Sequence, residues 1–213
     1  MTKSIESIWK EGFINEAHLS APKINDLYNR KSQNMVDKLQ NMFAINIKSI
    51  IVGSLIMLIL MSLLGFFYLG LYLFILLIPL VIIAKKELNK SVNLSKGQSS
   101  YDYLMNFNRW LQSSIKTYSR YYQVFYPMFV LGMAIQGIVS ESGEKIITKL
   151  VVEFPTELIF LGQPYYIIVA LALLTLLIAK SAEALYRWDL NMIYGRQFKK
   201  LEELLTDMEE LRQ

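Results

Sequence analysis

The chain has no cysteine and only one histidine among its 213 residues. The lack of cysteine excludes disulfide bonds, thiolate catalysis, cysteine-ligated zinc and palmitoylation. The single histidine, His18, has no second metal-ligating residue at a recognised spacing, so we expect a surface or helix-capping role. The sequence also lacks the Gly-rich phosphate loop, the nucleophile elbow and the zinc-protease helix motif. We therefore predict a protein that is not an enzyme, with no catalytic residue, no metal and no cofactor.

Charge is missing altogether from residues 49 to 84. An uncharged apolar run of about 18 residues or more predicts a membrane-spanning helix. As one straight helix this run would measure roughly 54 Å, against a hydrocarbon core of about 30 Å, so two spans joined by a tight turn fit better. The stretch "GFFYLG", residues 65 to 70, has a glycine at each end where the backbone can turn. We predict spans at residues 46–65 and 69–86.

Two further apolar runs, residues 121–140 and 164–184, predict a second hairpin of spans with a short external loop at 141–163. Pro127 lies inside the first of these runs, where it can kink a helix. The spans hold no acidic residue at mid-depth, which argues against a proton relay or a substrate path. The expected fold class is an all-α polytopic membrane protein with four transmembrane helices in two hairpins.

Basic residues are distributed unevenly among the segments outside the spans. Residues 1–48 hold seven Lys or Arg, residues 85–120 hold seven and residues 180–213 hold six, whereas the loop at 141–163 holds two. The positive-inside rule therefore predicts that both termini and the central loop lie in the cytoplasm. We expect these basic residues to face phospholipid headgroups, with no direct binding of nucleic acid.

Three polar segments are predicted to be helical extensions of the spans. The N-terminal part, 1–45, reads as a short helix that stops near Gly12, followed by a second helix that starts at Ser20. In the central loop, 87–120, a helix restarts near residue 100, and the C-terminal segment, 185–213, carries a further amphipathic stripe. The apolar positions of these stripes are Ile24, Leu27, Tyr28, Met35, Leu39, Met42 and Phe43, then Leu104, Phe107, Leu111, Ile115 and Tyr118, then Tyr194, Phe198, Leu201, Leu205 and Met208. Since each stripe must be buried, we predict one long bundle that projects from the membrane.

Large apolar residues also occur in the charged N-terminal segment. Trp9 and Phe13 either pack on the other extensions or provide anchors for a soluble protein, since large aromatic side chains are favoured at binding interfaces. The two interpretations are compatible, because a bundle can pack one face and present another. The candidate partner-binding residues are Trp9, Phe13, Ile24, Leu27 and Tyr28. The aromatic stretch "YYQVFY", residues 121 to 126, is interpreted as an interfacial aromatic belt.

The stretches "IWKEGF", "APKINDLYNRKS" and "WDLNMIYGRQFKKLEELLTDMEELR" resemble a family of uncharacterised small four-span inner-membrane proteins of Bacteroidota. The resemblance covers nearly the whole chain and implies no catalytic residue. It implies an association with sigma factors of the extracytoplasmic-function type, and hence a membrane-held regulator. The order of helices before the first span is similar to that of membrane anti-sigma factors, although the zinc-type His/Cys motif and an external sensor domain are missing.

The leading functional hypothesis is a non-enzymatic, multi-pass inner-membrane protein whose cytoplasmic helices bind and tether a soluble protein. A sigma factor is the candidate partner, which would make the chain an anti-sigma-like regulator of transcription. The alternative is a homo-oligomeric membrane scaffold or channel-like assembly, in which the amphipathic stripes meet those of other copies.

Overall fold

The computed structural model describes residues 5–94 and 99–210, with side chains from residue 26 onward. Three of the candidate partner-binding residues, Trp9, Phe13 and Ile24, therefore lie outside the residues whose side chains are described. Within the described ranges the chain forms five helices and one small antiparallel sheet. These elements are α1 (Ile5–Leu63), α2 (Phe67–Val92), α3 (Ser100–Val139), α4 (Glu141–Glu153), β1 (Ile159–Phe160), β2 (Gln163–Pro164) and α5 (Tyr165–Glu210).

The fold is that of an all-α polytopic membrane protein, as the sequence predicted. The long helices α1, α2, α3 and α5 are each long and apolar enough to cross a membrane. They form two hairpins, α1 with α2 and α3 with α5, and α2 packs against α3 to join them. We call residues 26–45, 87–94, 99–120 and 185–210 the stalk, residues 46–86, 121–140 and 164–184 the apolar half, and residues 141–163 the loop segment.

The first hairpin turns at Gly65, inside the glycine-flanked stretch singled out above. Gly65 has a φ of 82°, a left-handed conformation that glycine adopts without steric cost. Its N–H donates to the carbonyl of Ser62 at 3.1 Å, and the N–H of Phe66 donates to the carbonyl of Met61 at 2.7 Å. This pair of hydrogen bonds is a Schellman motif, which ends α1 by satisfying its last carbonyl groups.

The start of the chain differs from its prediction. The sequence predicted a break between Gly12 and Ser20, whereas α1 is a single helix from Ile5 to Leu63. A favourable N-cap such as Ser20 contributes only about 1 kcal/mol. Extending an existing helix adds one backbone hydrogen bond per residue and needs no new nucleus, so a local start signal does not by itself create a boundary.

The stalk contains the hydrophobic core of the molecule. The predicted stripes of α3 and α5, and that of α1 from Tyr28 onward, pack against one another. Leu39, Leu104 and Phe107 are completely inaccessible to solvent. The buried members are Val36, Leu39, Tyr103, Leu104, Phe107, Leu111, Tyr194, Leu201, Leu204, Leu205 and Met208. Since α2 ends at Val92, three helices continue to the end of the stalk.

In the apolar half, tyrosine side chains connect the two hairpins. The Tyr72 hydroxyl on α2 donates to the backbone carbonyl of Met128 on α3 at 2.8 Å. In the opposite direction, the Tyr121 hydroxyl on α3 donates to the carbonyl of Leu76 on α2 at 2.6 Å. The Tyr72 ring lies so close to Gly132 that a Cβ atom there would collide with it. Absence of a side chain at Gly132 therefore sets the spacing between α2 and α3.

The loop segment folds into α4 and a β-hairpin. Ser140 caps α4, because its hydroxyl accepts from the backbone N–H of Gly143 at 3.1 Å. The sequence predicted a short external loop over these residues, and the hairpin was not predicted. Its strands pair in the register Ile159 to Pro164 and Phe160 to Gln163.

Candidate functional site: the groove between α1 and α5

The seam between α1 and α5 in the stalk is open along part of its length. Helix α1 packs mainly against α2, and α3 packs mainly against α5, whereas α1 and α5 touch each other at few points. An open groove of about 470 Å³ lies along this seam. Its residues come from two separate parts of the chain, 31–38 on α1 and 197–207 on α5.

The groove has an apolar floor and charged walls. Leu204 is buried and Met35 packs against the same core, so these two side chains form its floor. The basic residues Lys31, Lys38 and Lys200 line the walls and are all exposed. This combination of an apolar floor and a polar rim is typical of surfaces that bind a protein segment.

Acidic and amide groups complete the α5 wall. Glu203 and Asp207 line the groove one helical turn apart, and Glu203 is 3.9 Å from the Lys199 ammonium, a weak contact at the surface. The side-chain oxygen of Gln197 is buried without a hydrogen-bond partner. A buried polar atom without a partner has an energetic cost.

The two predicted partner-binding residues whose side chains are described, Leu27 and Tyr28, precede the groove residues on α1 and do not line the groove. Tyr28 packs against the stalk core, and the ammonium of Lys31, a groove residue, stands 5.4 Å from the centre of its ring. Leu27 is 50% exposed. The Tyr28 side chain thus serves mainly to pack the stalk core, whereas the Leu27 side chain is exposed and can contact a partner. Trp9, Phe13 and Ile24 lie outside the described side chains.

A second, smaller cleft of about 80 Å³ is lined by residues of all four long helices, where the stalk meets the apolar half. Its walls include Tyr118, Tyr122, Tyr186 and Tyr194. The rings of Tyr122 and Tyr186 stack at a centroid distance of 4.6 Å, and Tyr186 is buried. The belt interpretation is therefore wrong for Tyr122, because its ring packs inside the bundle against α5.

Tyr194 closes this cleft on the stalk side. Its hydroxyl is buried beside Asn46 but makes no well-formed hydrogen bond. A tyrosine hydroxyl is protonated at neutral pH, and burial raises the pKa of the Tyr194 hydroxyl further, to about 12. It therefore remains a hydrogen-bond donor facing the cleft.

A buried carboxylate, Glu87, lies one residue beyond the second predicted span. Ser114 donates to one of its oxygens at 2.9 Å, and the Lys90 ammonium contacts the other at 2.6 Å. Burial alone raises the pKa of Glu87, but these hydrogen bonds and the positive charges of Lys90 and Lys86 outweigh it and hold the pKa below its usual value. Glu87 is a satisfied structural charge that ties α2 to α3.

Among the side chains that the structure describes, no group of three or more His, Asp or Glu residues is arranged to hold a metal ion. No protein-family model, curated protein or solved structure matches the chain. The groove was not predicted, because the only signal in the sequence is the spacing of Lys31 and Lys38, seven residues apart on one face of α1. Nothing in that spacing indicates that α5 lies opposite.

Proposed function

We propose that this chain is a non-enzymatic multi-pass protein of the bacterial inner membrane whose stalk binds and tethers a soluble protein. The observation that carries the proposal is the burial of the three apolar stripes against one another with an open groove left between α1 and α5. Because the stalk buries its apolar side chains within the chain, it does not need a partner in order to fold. The apolar floor and charged rim of its groove suit the binding of a segment of another protein.

The charge distribution supports a cytoplasmic stalk. Residues 1–48, 85–120 and 180–213 carry seven, seven and six Lys or Arg, against two in the loop at 141–163. Such an excess of Lys and Arg marks the cytoplasmic side of inner-membrane proteins. We therefore propose that both termini and the groove face the cytoplasm.

The length of α1 supports a second docking element. Near the end of α5, Met208 receives a hydrogen bond from Ser32 on α1, and α5 ends at Glu210. Helix α1 begins at Ile5, so about 40 Å of helix precedes Ser32 at roughly 1.5 Å per residue. This stretch contains Trp9 and Phe13, two of the predicted partner-binding residues.

The groove favours an amphipathic helix as the bound segment, with apolar residues on the floor formed by Met35 and Leu204. Lys31, Lys38 and Lys200 would pair with acidic residues of that helix. A sigma factor of the extracytoplasmic-function type is the concrete candidate partner, and the resemblance described above is its support. In this role the chain would act as an anti-sigma-like regulator.

The experiment is binding of the purified full-length chain in detergent to a sigma factor encoded beside it. Lys38→Glu reverses a charge at the rim of the groove, and we expect it to weaken binding severalfold at low salt, mainly by slowing association, because rim charges steer a partner of opposite charge. Lys116→Glu makes the same change at an exposed position on α3, outside the groove lining, and is the matched control. Equal binding by both variants, or none by the wild type, would refute this version of the proposal.

A homo-oligomeric assembly is the second candidate. Only 6% of the most apolar 18-residue window of α3, and the same share in α5, is buried within the chain. This leaves a large apolar surface for lipid or for another copy. Mass measurement in detergent separates the two candidates, because a strict monomer excludes the assembly.

A further inference from the structure

The β-hairpin of the loop segment carries four consecutive apolar residues, and every one of them is exposed. These are Leu158, Ile159, Phe160 and Leu161, and the last two are 59% and 80% exposed. A contiguous exposed apolar surface marks a place where a protein contacts a partner or a membrane. Burial within this chain therefore does not explain why the hairpin is apolar.

Turn chemistry does not explain the tip residue either. Leu161 and Gly162 form the two-residue turn, with φ values of 52° and 75°. Such a turn favours Asn or Gly at its first position, because a side chain strains the left-handed backbone. Leu161 thus has an unfavourable left-handed backbone conformation and an exposed, large apolar side chain. This combination points to a contact made outside the chain.

The helix that precedes the hairpin has the same property. Helix α4 buries none of its 13 residues, although it is amphipathic. Its apolar residues Ile147 and Val151 face the hairpin across a cavity of about 240 Å³, and Val152 is 79% exposed. On its polar side, Lys145 pairs with Glu141 at 2.7 Å. An amphipathic helix of this kind suits the boundary between lipid headgroups and acyl chains.

The exposed surface is continuous with the spans. Val139 at the end of α3 and Tyr165 at the start of α5 flank the loop segment, and both are exposed. Leu63 and Leu64, in the turn between α1 and α2 at the same end, are exposed as well. Because exposed apolar residues of the hairpin and of the span ends lie at the same end of the molecule, the adjoining lipid is the occupant that these observations favour.

We propose that the loop segment is a lipid-contacting element, with α4 lying in the membrane interface and the tip Phe160–Leu161 inserted among the acyl chains. The loop segment would then anchor the second hairpin from the side opposite to the stalk. This inference does not depend on the proposed partner of the stalk, nor on which leaflet the loop segment meets.

The absence of cysteine makes the test direct, because one introduced cysteine is labelled uniquely. A fluorophore at Phe160→Cys is compared with one at Glu157→Cys, three residues earlier and also exposed. Leu173→Cys on the apolar half and Glu203→Cys on the stalk serve as lipid and water references. The full-length protein is reconstituted into phosphatidylcholine–phosphatidylglycerol vesicles, with nitroxide-labelled lipid or aqueous iodide as the quencher.

We expect nitroxide lipid to quench the label at position 160 at least threefold more than the label at position 157. Iodide should quench the label at position 160 as weakly as it quenches the label at position 173. Quenching by iodide as strong as that at Glu203 would overturn the proposal. So would a Phe160 label that neither quencher reaches in a protein that migrates as an oligomer, because a second copy would then cover the hairpin.

A second variant separates apolar contact from turn geometry. Leu161→Asn suits the left-handed backbone of the turn but removes the apolar side chain. In the Phe160→Cys protein we expect it to lower quenching by nitroxide lipid and to raise quenching by iodide. An unchanged quenching pattern in a protein of unchanged helical content would count against insertion of the tip.

Discussion

The stalk and the apolar half are built from the same helices but are held together differently. The stalk buries a continuous core that contains eleven residues from α1, α3 and α5. In the apolar half, only 6% of the most apolar window of α3 or α5 is buried. Water drives apolar side chains together in a polar segment, whereas lipid is as apolar as leucine and supplies no such force between helices.

Close approach and hydrogen bonding take the place of burial in the apolar half. Gly70 brings α2 against α1, since a Cβ atom there would lie 2.8 Å from the Cβ of Met61. Gly132 does the same for α3 and the ring of Tyr72. The hydroxyls of Tyr72 and Tyr121 then connect α2 and α3 through backbone carbonyls. Small residues and polar side chains are the usual means by which helices associate in lipid.

Removing a large side chain from the stalk core should have the largest effect. Phe107 is completely buried and its ring lies 5.1 Å from that of Trp110. We expect Phe107→Ala to lower the free energy of unfolding by about 3–5 kcal/mol, because it leaves a cavity in a core that water stabilises. Denaturant unfolding in detergent, followed by circular dichroism, measures the loss. The same replacement at Phe129, which is exposed on the apolar half, should cost much less, and equal losses would contradict the comparison.

Adding one methyl group between α2 and α3 should have an intermediate effect. Gly132→Ala places a Cβ atom against the Tyr72 ring, which is held in place by its hydrogen bond to Met128. We expect a loss of about 1–3 kcal/mol from overpacking, measured by the same unfolding experiment. Gly53→Ala is the matched control, because a Cβ atom at Gly53 meets open space. A Gly132→Ala protein as stable as the Gly53→Ala protein would show that the helices can move apart freely.

Removing one hydroxyl from the apolar half should have the smallest effect. Tyr72→Phe keeps the ring over Gly132 and deletes only the donor to the Met128 carbonyl. The expected loss is about 0.6 kcal/mol, the average for hydrogen bonds between membrane helices. Tyr68→Phe removes a hydroxyl from a side chain that is 84% exposed, and it should leave the unfolding free energy unchanged. If the two variants lose equal stability, the hydrogen bond is not a net contributor.

The fold followed largely from patterns in the sequence. The uncharged run at 49–84 and its glycines predicted the first hairpin, and the 3- and 4-residue spacing of apolar side chains predicted the buried stripes of the stalk. The prediction that a helix begins at Ser20 was wrong, because capping signals are weak compared with helix propagation. The hairpin at 158–164 was missed, since a two-residue strand is too short to show an alternating pattern.

By itself the sequence determined that this protein is helical and membrane-spanning, since those properties depend on the composition and spacing of neighbouring residues. The tertiary structure decided which surfaces remain open. The groove unites Lys38 on α1 with Lys200 on α5, residues far apart in the chain. The Tyr122 ring turns inward because Tyr186 lies opposite, and the Leu161 side chain turns outward because of a turn in the backbone. Such features depend on how helices pack, and periodicity along one helix carries no information about its neighbour.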